Sequence, residues 1–253
     1  MSRIIYGINP VIEAITSHPQ DFKEVIIFSG KTGREVDNIK NLASKNRIRF
    51  RIGGQQEFDR LAKGETHQGI IAILNEFRYA ALEDIFQKWK TSNSKAFILI
   101  LDSIEDPQNL GSLIRTANSA GVHGVIIPKD RASSVTPTVV KASAGATERT
   151  MISQVTNIAQ TIETLKKQGI WVVGIEGDAR ESIYKSDFNI DIAIVIGSEG
   201  KGIRRLVKEK CDSLASIPMK GQVSSLNAGI AGAIAMFEVL RQRGFIDRLE
   251  RQR

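Results

Sequence analysis

A chain of 253 residues that is 42% hydrophobic and 25% charged suits one large α/β core with a smaller companion, and no apolar run approaches the roughly 18 to 20 residues of a membrane span. The N-terminal MSRIIYGINPVIEAI lacks the basic, apolar, small-residue progression of a secretory signal, and the single cysteine, Cys211, excludes an internal disulfide, so a reducing cytoplasm is expected. A formal charge of +7 would attract a polyanion, nucleic acid being the commonest.

In chain order, the pattern from Lys23 predicts strand (KEVIIF), helix (REVDNIKNLASK), strand (IRFRI), helix (QQEFDRLAK) and strand (GIIAIL), a small α/β domain over residues 1–74. Lys45, Arg47, Arg49 and Arg51 alternate within it. With Arg241, Arg243, Arg248, Arg251 and Arg253 at the C-terminal end, they suit phosphate contacts and solvated faces equally. Residues 75–94 change character: ALEDIFQKWK can form one amphipathic helix, polar TSNS follows, and the stretch reads as a linker. From Lys95 to Arg253 short apolar runs (FILILDSI, GVIIP, MISQV, WVVGIEG, IDIAIVIGSE, SLASIPM) alternate with helical segments (LGSLIRTANSAG, VVKASAGATE, IAQTIETLKKQG). Strands apolar along most of their length suit a parallel sheet covered on both faces, in which ligands bind beyond the carboxyl ends of the strands.

Three clusters follow such strands. In DPQNLGSLIRTANSAG, Asn109 can cap the helix and Arg115 lies one and a half turns further on, so the two could share a site; a capped helix with a surface arginine fits the local pattern equally. In IGSEGKGI, Gly197, Gly200 and Gly202 allow backbone to approach a ligand, but the spacing is neither GxGxxG nor a Walker loop, and Glu199 would repel phosphates. A cofactor without phosphates is favoured over NAD or ATP. In IPMKGQVSSLNAGIAGAIAMFEVLRQR, Ser224 and Ser225 are cap candidates, Asn227 is a polar residue among apolar ones, and the helix behind them carries Gly229 and Gly232. Glycine costs roughly 0.8 to 1 kcal/mol relative to alanine inside a helix, so these two imply close packing against another segment or a partner subunit. His18 and His123 have no partners at metal-ligand spacing and one cysteine cannot build a zinc site, so no metal is expected.

Taken together, NLGSLIRTA, IGSEGKGI and IPMKGQVSSLNAGIA resemble, in order and spacing, the three motifs of the SpoU, or TrmH, branch of the SPOUT methyltransferases. YGINPVIEAI and THQGIIAIL resemble the ends of that family's L30e-like RNA-binding domain, so the resemblance spans nearly the whole chain. It implies a parallel sheet whose C-terminal segment forms a trefoil knot, preceded by the L30e-like domain, and a homodimer with its active site at the subunit interface. It implies S-adenosylmethionine held around Gly197, Ile217, Met219 and Leu226, and an RNA substrate, without DNA or membrane. Arg115 matches the family's catalytic arginine, Asn109 the first-motif asparagine, Glu199 the second-motif acid, and Ser225 and Asn227 the third-motif pair. Arg115 would act as base or as electrostatic anchor, with Glu199 holding the geometry through it. The sequence departs from the pattern after Asn227, where Ala-Gly-Ile-Ala replaces the commoner Val-Ser-Val-Ala. The expected activity is 2′-O-ribose methylation of one guanosine in 23S rRNA, with a tRNA ribose methyltransferase and a non-catalytic ribosome-assembly factor as alternatives.

Overall fold

A computed structural model describes residues 3–64, 66–221 and 225–244, and groups the chain into two compact units, Met1–Arg78 with Val135–Arg149, and Tyr79–Ser134 with Thr150–Arg253. Ser224, Arg248, Arg251 and Arg253 lie outside the described residues. The N-terminal third runs β1 (Arg3–Tyr6), α1 (Ile8–Ser17), β2 (Phe22–Phe28), α2 (Arg34–Lys45), β3 (Phe50–Gly53), α3 (Gln55–Ala62) and β4 (Ile70–Leu74). Its sheet has the order β1-β4-β2-β3, with β1 and β2 antiparallel to β4 and β2 parallel to β3. The patterns from Lys23 onward form the expected elements; β1 and α1 add to them. Pro10 stands in the first turn of α1, where a missing N–H breaks no helical hydrogen bond. Tyr6, Ile26, Phe58, Ala62 and Ile71 pack together beneath the sheet.

The remaining elements are α4 (Leu82–Thr91), β5 (Phe97–Asp102), α5 (Pro107–Ser119), β6 (Gly124–Pro128), α6 (Pro137–Ala142), β7 (Ile152–Val155), α7 (Ile158–Lys167), β8 (Trp171–Ile175), β9 (Glu181–Ser182), β10 (Ile192–Gly197), α8 (Arg205–Lys210), β11 (Ser213–Ser216) and α9 (Ala228–Gln242). All strands of the second unit join one parallel sheet of order β7-β6-β5-β10-β8-β11-β9. The chain builds outward from β5 to β7, crosses to β8, and returns to insert β10 between β5 and β8. This reversal is a topological switch point, where open parallel sheets leave a crevice. Register aligns the crevice floor: Gly197 lies opposite Asp102, and Ile175 opposite both Ile196 and Ala215. The segments following β5, β8, β10 and β11 therefore emerge along one edge.

The stretch read as a linker carries α4, whose Ile85 and Phe86 join the core of the second unit with Ile98, Ile100 and Ile126. A Cβ at Gly124 would come within 2.5 Å of Ile85 Cδ1, so α4 seats directly on the start of β6. VVKASAGATE, expected as one helix, ends at Ala142 and resumes as a 3-10 turn at Ala146–Glu148. The break is at Gly145, whose φ of +87° favours glycine and whose Cβ would meet Glu13 Cβ at 2.7 Å. This segment belongs to the first unit, where α6 packs on β1. There the buried Glu148 takes two hydrogen bonds from Arg3, Nη1 to Oε1 at 2.5 Å and Nη2 to Oε2 at 2.9 Å. Removing either partner would strand a buried charge.

His123 sits just before β6. Its Nδ1 accepts from Phe97 N at 3.0 Å, and its Nε2 lies 2.9 Å from Ser92 Oγ and 3.1 Å from Ser94 Oγ. Burial lowers its pKa below the ordinary imidazole value. The folded state thus prefers neutral His123, and the resulting stabilisation is complete above the unfolded pKa of about 6.5 and is lost as pH falls from there toward the depressed folded value. The urea midpoint of the wild type is expected to fall more between pH 7 and pH 5 than that of His123→Asn; equal falls would remove His123 from the acid sensitivity.

Candidate active site

At the carboxyl end of β10 the chain folds back on itself. Ser198 N donates to Gly202 O at 3.1 Å and Gly202 N to Ser198 O at 2.9 Å, leaving Glu199, Gly200 and Lys201 at the tip. A Cβ at Gly197 would stand 2.1 Å from the Gly202 carbonyl carbon and 2.3 Å from Ile203 N, so only glycine permits this fold. Gly200 and Gly202 take positive φ of +80° and +64°. Neighbouring strands anchor the far end of the loop. Asp102, fully buried at the end of β5, accepts from Arg204 N at 2.8 Å and Arg204 Nε at 2.7 Å. Glu176, following β8, accepts from Ile203 N at 2.6 Å and pairs with Lys208 Nζ at 3.3 Å.

Helices α5 and α9 pack side by side. A Cβ at Gly232 would be 2.3 Å from Leu113 Cδ2, and one at Gly229 would be 3.1 Å from Asn227 Oδ1 and 3.6 Å from Asn109 Oδ1. The glycines of the small-residue helix are thus explained by close packing within one chain. The caps differ from the expected ones. Asp106 caps α5, accepting from Gln108 N at 3.0 Å, because Pro107 occupies the first helical position; Asn109 is the third helical residue. Asn227 caps α9, accepting from Ile230 N at 3.2 Å, while Ser225 stands ahead of the helix.

Those placements bring three polar side chains together. Glu199 Oε1 accepts from Asn109 Nδ2 at 2.7 Å, from Asn227 Nδ2, and from Ala228 N at 3.4 Å. Asn227 Nδ2 also donates to Asn109 Oδ1 at 3.0 Å. A charged acceptor with several donors fixes both amides in orientation. Within one chain, Glu199 is therefore tied to the two asparagines.

Two clefts meet at this cluster. The first, of about 360 Å³, is lined by Gly197, Ile217, Met219, Ser225 and Leu226. The second, of about 240 Å³, is lined by Ser103, Ile104, Glu105, Asp106 and Asn109. Ser198, Glu199, Lys201 and Ala228 form a wall common to both. Ile196, Ile217, Met219 and Leu226 offer apolar surface for a flat ring, and the Gly197–Gly202 turn brings backbone close to its edge. Glu176 and Glu199 stand on the walls of the first cleft with Lys201, two carboxylates to one ammonium, a balance that disfavours a polyphosphate.

The sequence matches the SpoU rRNA Methylase family over residues 96–237 and the RNA 2′-O ribose methyltransferase substrate binding family over residues 4–80. The chain belongs to the SpoU methylase family. Among its relatives, YacO of Bacillus subtilis, named for the TrmH family of tRNA/rRNA methyltransferases, is 44% identical over 94% of this chain and 95% of its own. The 23S rRNA (guanosine-2′-O-)-methyltransferase RlmB of Escherichia coli K12 is 40% identical over 96% of this chain and 100% of its own. In fold, the chain resembles the SpoU methyltransferase AviRb of Streptomyces viridochromogenes, solved with AdoMet, at a TM-score of 0.80 and 22% identity over 96% of this chain and 90% of that one.

Within this SpoU chain, Asn109, Glu199 and Asn227 converge, and Gly197, Ile217, Met219, Ser225 and Leu226 line the first cleft. Arg115 does not join them. It lies on the exposed side of α5 and lines neither of the two clefts. Motif reading missed Asp102, Glu176 and Lys201. Asp102 and Glu176 had a signal, a carboxylate ending or following an apolar strand, whereas a lysine in a Gly-rich turn has none. Several basic candidates are committed elsewhere. Arg51 bonds Glu57 and Glu24, which together raise its pKa above the ordinary guanidinium value. Arg241 bonds Glu238. Arg243 donates to the carbonyls of Lys95, Ala96 and Ile190. Lys45, Arg47 and Arg49 remain exposed. Burial pushes the Cys211 thiol up to about 12, which leaves it protonated and unreactive at neutral pH.

Proposed function

We propose that this chain methylates the ribose 2′-hydroxyl of a guanosine in 23S rRNA, using S-adenosylmethionine bound in the first cleft and the acceptor nucleoside in the second. The supporting observation is the wall common to the two clefts, which carries Glu199 bound to Asn109 and Asn227. Methyl transfer needs donor and acceptor held in line at short range, and adjoining clefts with one rigid partition supply that placement. The bound cofactor would supply a methyl group on a sulfonium, and no metal is needed for its displacement.

The chain's own groups have three tasks. Gly197, Ile217, Met219 and Leu226 hold the adenine and exclude water beside it. Glu199 acts as a positioning residue, locking Asn109 and Asn227, and Asn109 then orients the ribose; Ser225 lies at the mouth of the first cleft as a further polar contact. A ribose hydroxyl is a weak nucleophile at neutral pH and requires a group that stabilises its developing negative charge. Arg115 takes that role from a second copy of the chain, so the active enzyme is a homodimer. A guanidinium surrenders its proton with difficulty, so Arg115 stabilises the developing oxyanion while the hydroxyl proton passes to solvent as the new O–C bond forms.

Residues 1–74 serve as an L30e-like RNA-binding domain, a reading supported by the substrate-binding family match over residues 4–80. The same reading includes a knotted C-terminal segment and a cytoplasmic location; among the described residues no helix is long and apolar enough to cross a membrane. The test is incubation of the purified chain with labelled S-adenosylmethionine and unmodified 23S rRNA or tRNA, followed by mapping of 2′-O-methyl sites. One methylated guanosine in 23S rRNA is expected. Label in tRNA alone would redirect the target, and no label with either RNA would overturn the enzymatic reading.

A further inference from the structure

The second cleft contains one carboxylate with no assigned task. Of its three acids, Glu199 is bound to Asn109, Asn227 and Ala228, and Asp106 accepts the Gln108 amide as the cap of α5. Glu105 is exposed and, among the described residues, has no hydrogen bond or ion pair. Its backbone is nonetheless held firmly. Ser103 takes a positive φ of +63°, Ile104 O accepts from Ser133 N at 2.8 Å, and Asp106 is fixed by the cap immediately after it. A free carboxylate on a rigid segment, facing a cleft beside the methyl-donor site, is arranged to read a ligand.

We infer that Glu105 selects guanine at the acceptor position, its carboxylate accepting from the base's N1–H and 2-amino group. This rests on the proposed methyltransferase reading and names what confers its base preference. The chemistry is discriminating because an ionised carboxylate only accepts hydrogen bonds. Guanine alone among the four RNA bases presents two adjacent donors on its Watson–Crick edge. Adenine and cytosine each present a ring-nitrogen acceptor beside the amino group, and uracil flanks its single N–H with two carbonyl oxygens. Each of these would set an acceptor lone pair against the carboxylate. Sequence-specific RNA recognition reads such edges on bases drawn out of the helix, which a 240 Å³ cleft can admit one at a time.

The test uses the full chain with 23S rRNA fragments carrying guanosine or inosine at the methylated position. Inosine keeps N1–H and O6 and lacks the 2-amino group. The wild type is expected to prefer guanosine over inosine by about tenfold or more in kcat/KM, the range of one lost edge contact. Glu105→Gln is expected to lower kcat/KM on guanosine by about tenfold to a hundredfold and to bring the guanosine-to-inosine ratio close to one, with S-adenosylmethionine affinity unchanged by calorimetry. An unchanged ratio in Glu105→Gln, or a wild type indifferent to inosine, would overturn the assignment while leaving the methyltransferase reading in place. A wild type that methylates neither fragment would sink both.

Discussion

In the Gly197→Ala variant, S-adenosylmethionine affinity falls by at least about a hundredfold, near 2.8 kcal/mol at 1.4 kcal/mol per factor of ten, and methyl transfer falls with it. The added Cβ would lie 2.1 Å from the Gly202 carbonyl carbon and 2.4 Å from its oxygen. These are backbone atoms, and no rotamer change can relieve the overlap. The turn must open, which displaces Glu199 and Lys201 from the wall common to both clefts. The rest of the sheet should hold, because Arg204 remains tied to Asp102 and the register of β10 against β5 lies before the turn. Gly221→Ala serves as the control: that position has open space around it and lies in the same C-terminal segment as Met219. Calorimetry on both variants decides the matter. Wild-type affinity in Gly197→Ala would mean that the cofactor binds elsewhere.

The sequence makes this turn legible but leaves its chemistry hidden, and the difference lies in sequence distance. Three glycines in six residues after IDIAIVI mark a close backbone approach, and the fully apolar runs of β5 and β10 mark a sheet covered on both faces. The cluster itself joins Asn109 to Glu199 across 90 positions and Asn227 to Glu199 across 28, a pairing that no local pattern encodes. Caps were misread for a different reason. Asp106 and Asn109 are both capping types, and only Pro107, which prefers the first helical position, identifies Asp106 as the cap. At α9, Ser225 and Asn227 are equally suitable by type, and only the structure distinguishes them, with Asn227 accepting from Ile230 N. The burial of α4 was half legible: Ile85 and Phe86 lie on its apolar side, but Ile85 seats on Gly124, almost forty positions further on.

Arg115→Ala and Arg115→Lys are each expected to lower methyl transfer by about a hundredfold to ten-thousandfold, the range of a group acting on the reacting hydroxyl, while cofactor affinity stays at the wild-type value. The lysine variant should fail because a compact ammonium cannot reproduce the planar fork of a guanidinium. The geometry makes this a demanding prediction, since Arg115 lines neither cleft of its own chain. A second copy would resolve the conflict. Helix α9 leaves Ile230 53% and Phe237 52% exposed, two large apolar side chains seven positions apart, and hence on one side of the helix. A twofold-related copy would cover such a face. If each active site combines the clefts of one chain with Arg115 of the other, an equal mixture of Arg115→Ala and Gly197→Ala chains regains activity. Half of the randomly reassociated dimers are hybrids, each with one intact site of two, so recovery should approach about a quarter of the wild-type rate under two-fold pairing. The intact site of a hybrid takes its cofactor cleft from the Arg115→Ala chain and its guanidinium from the Gly197→Ala chain. If Arg115 acted within its own chain, neither mutant could complement the other and the mixture would stay as inactive as its components. Size-exclusion chromatography of both variants must show the same oligomer as the wild type, so that failure to complement reports on the site and not on assembly.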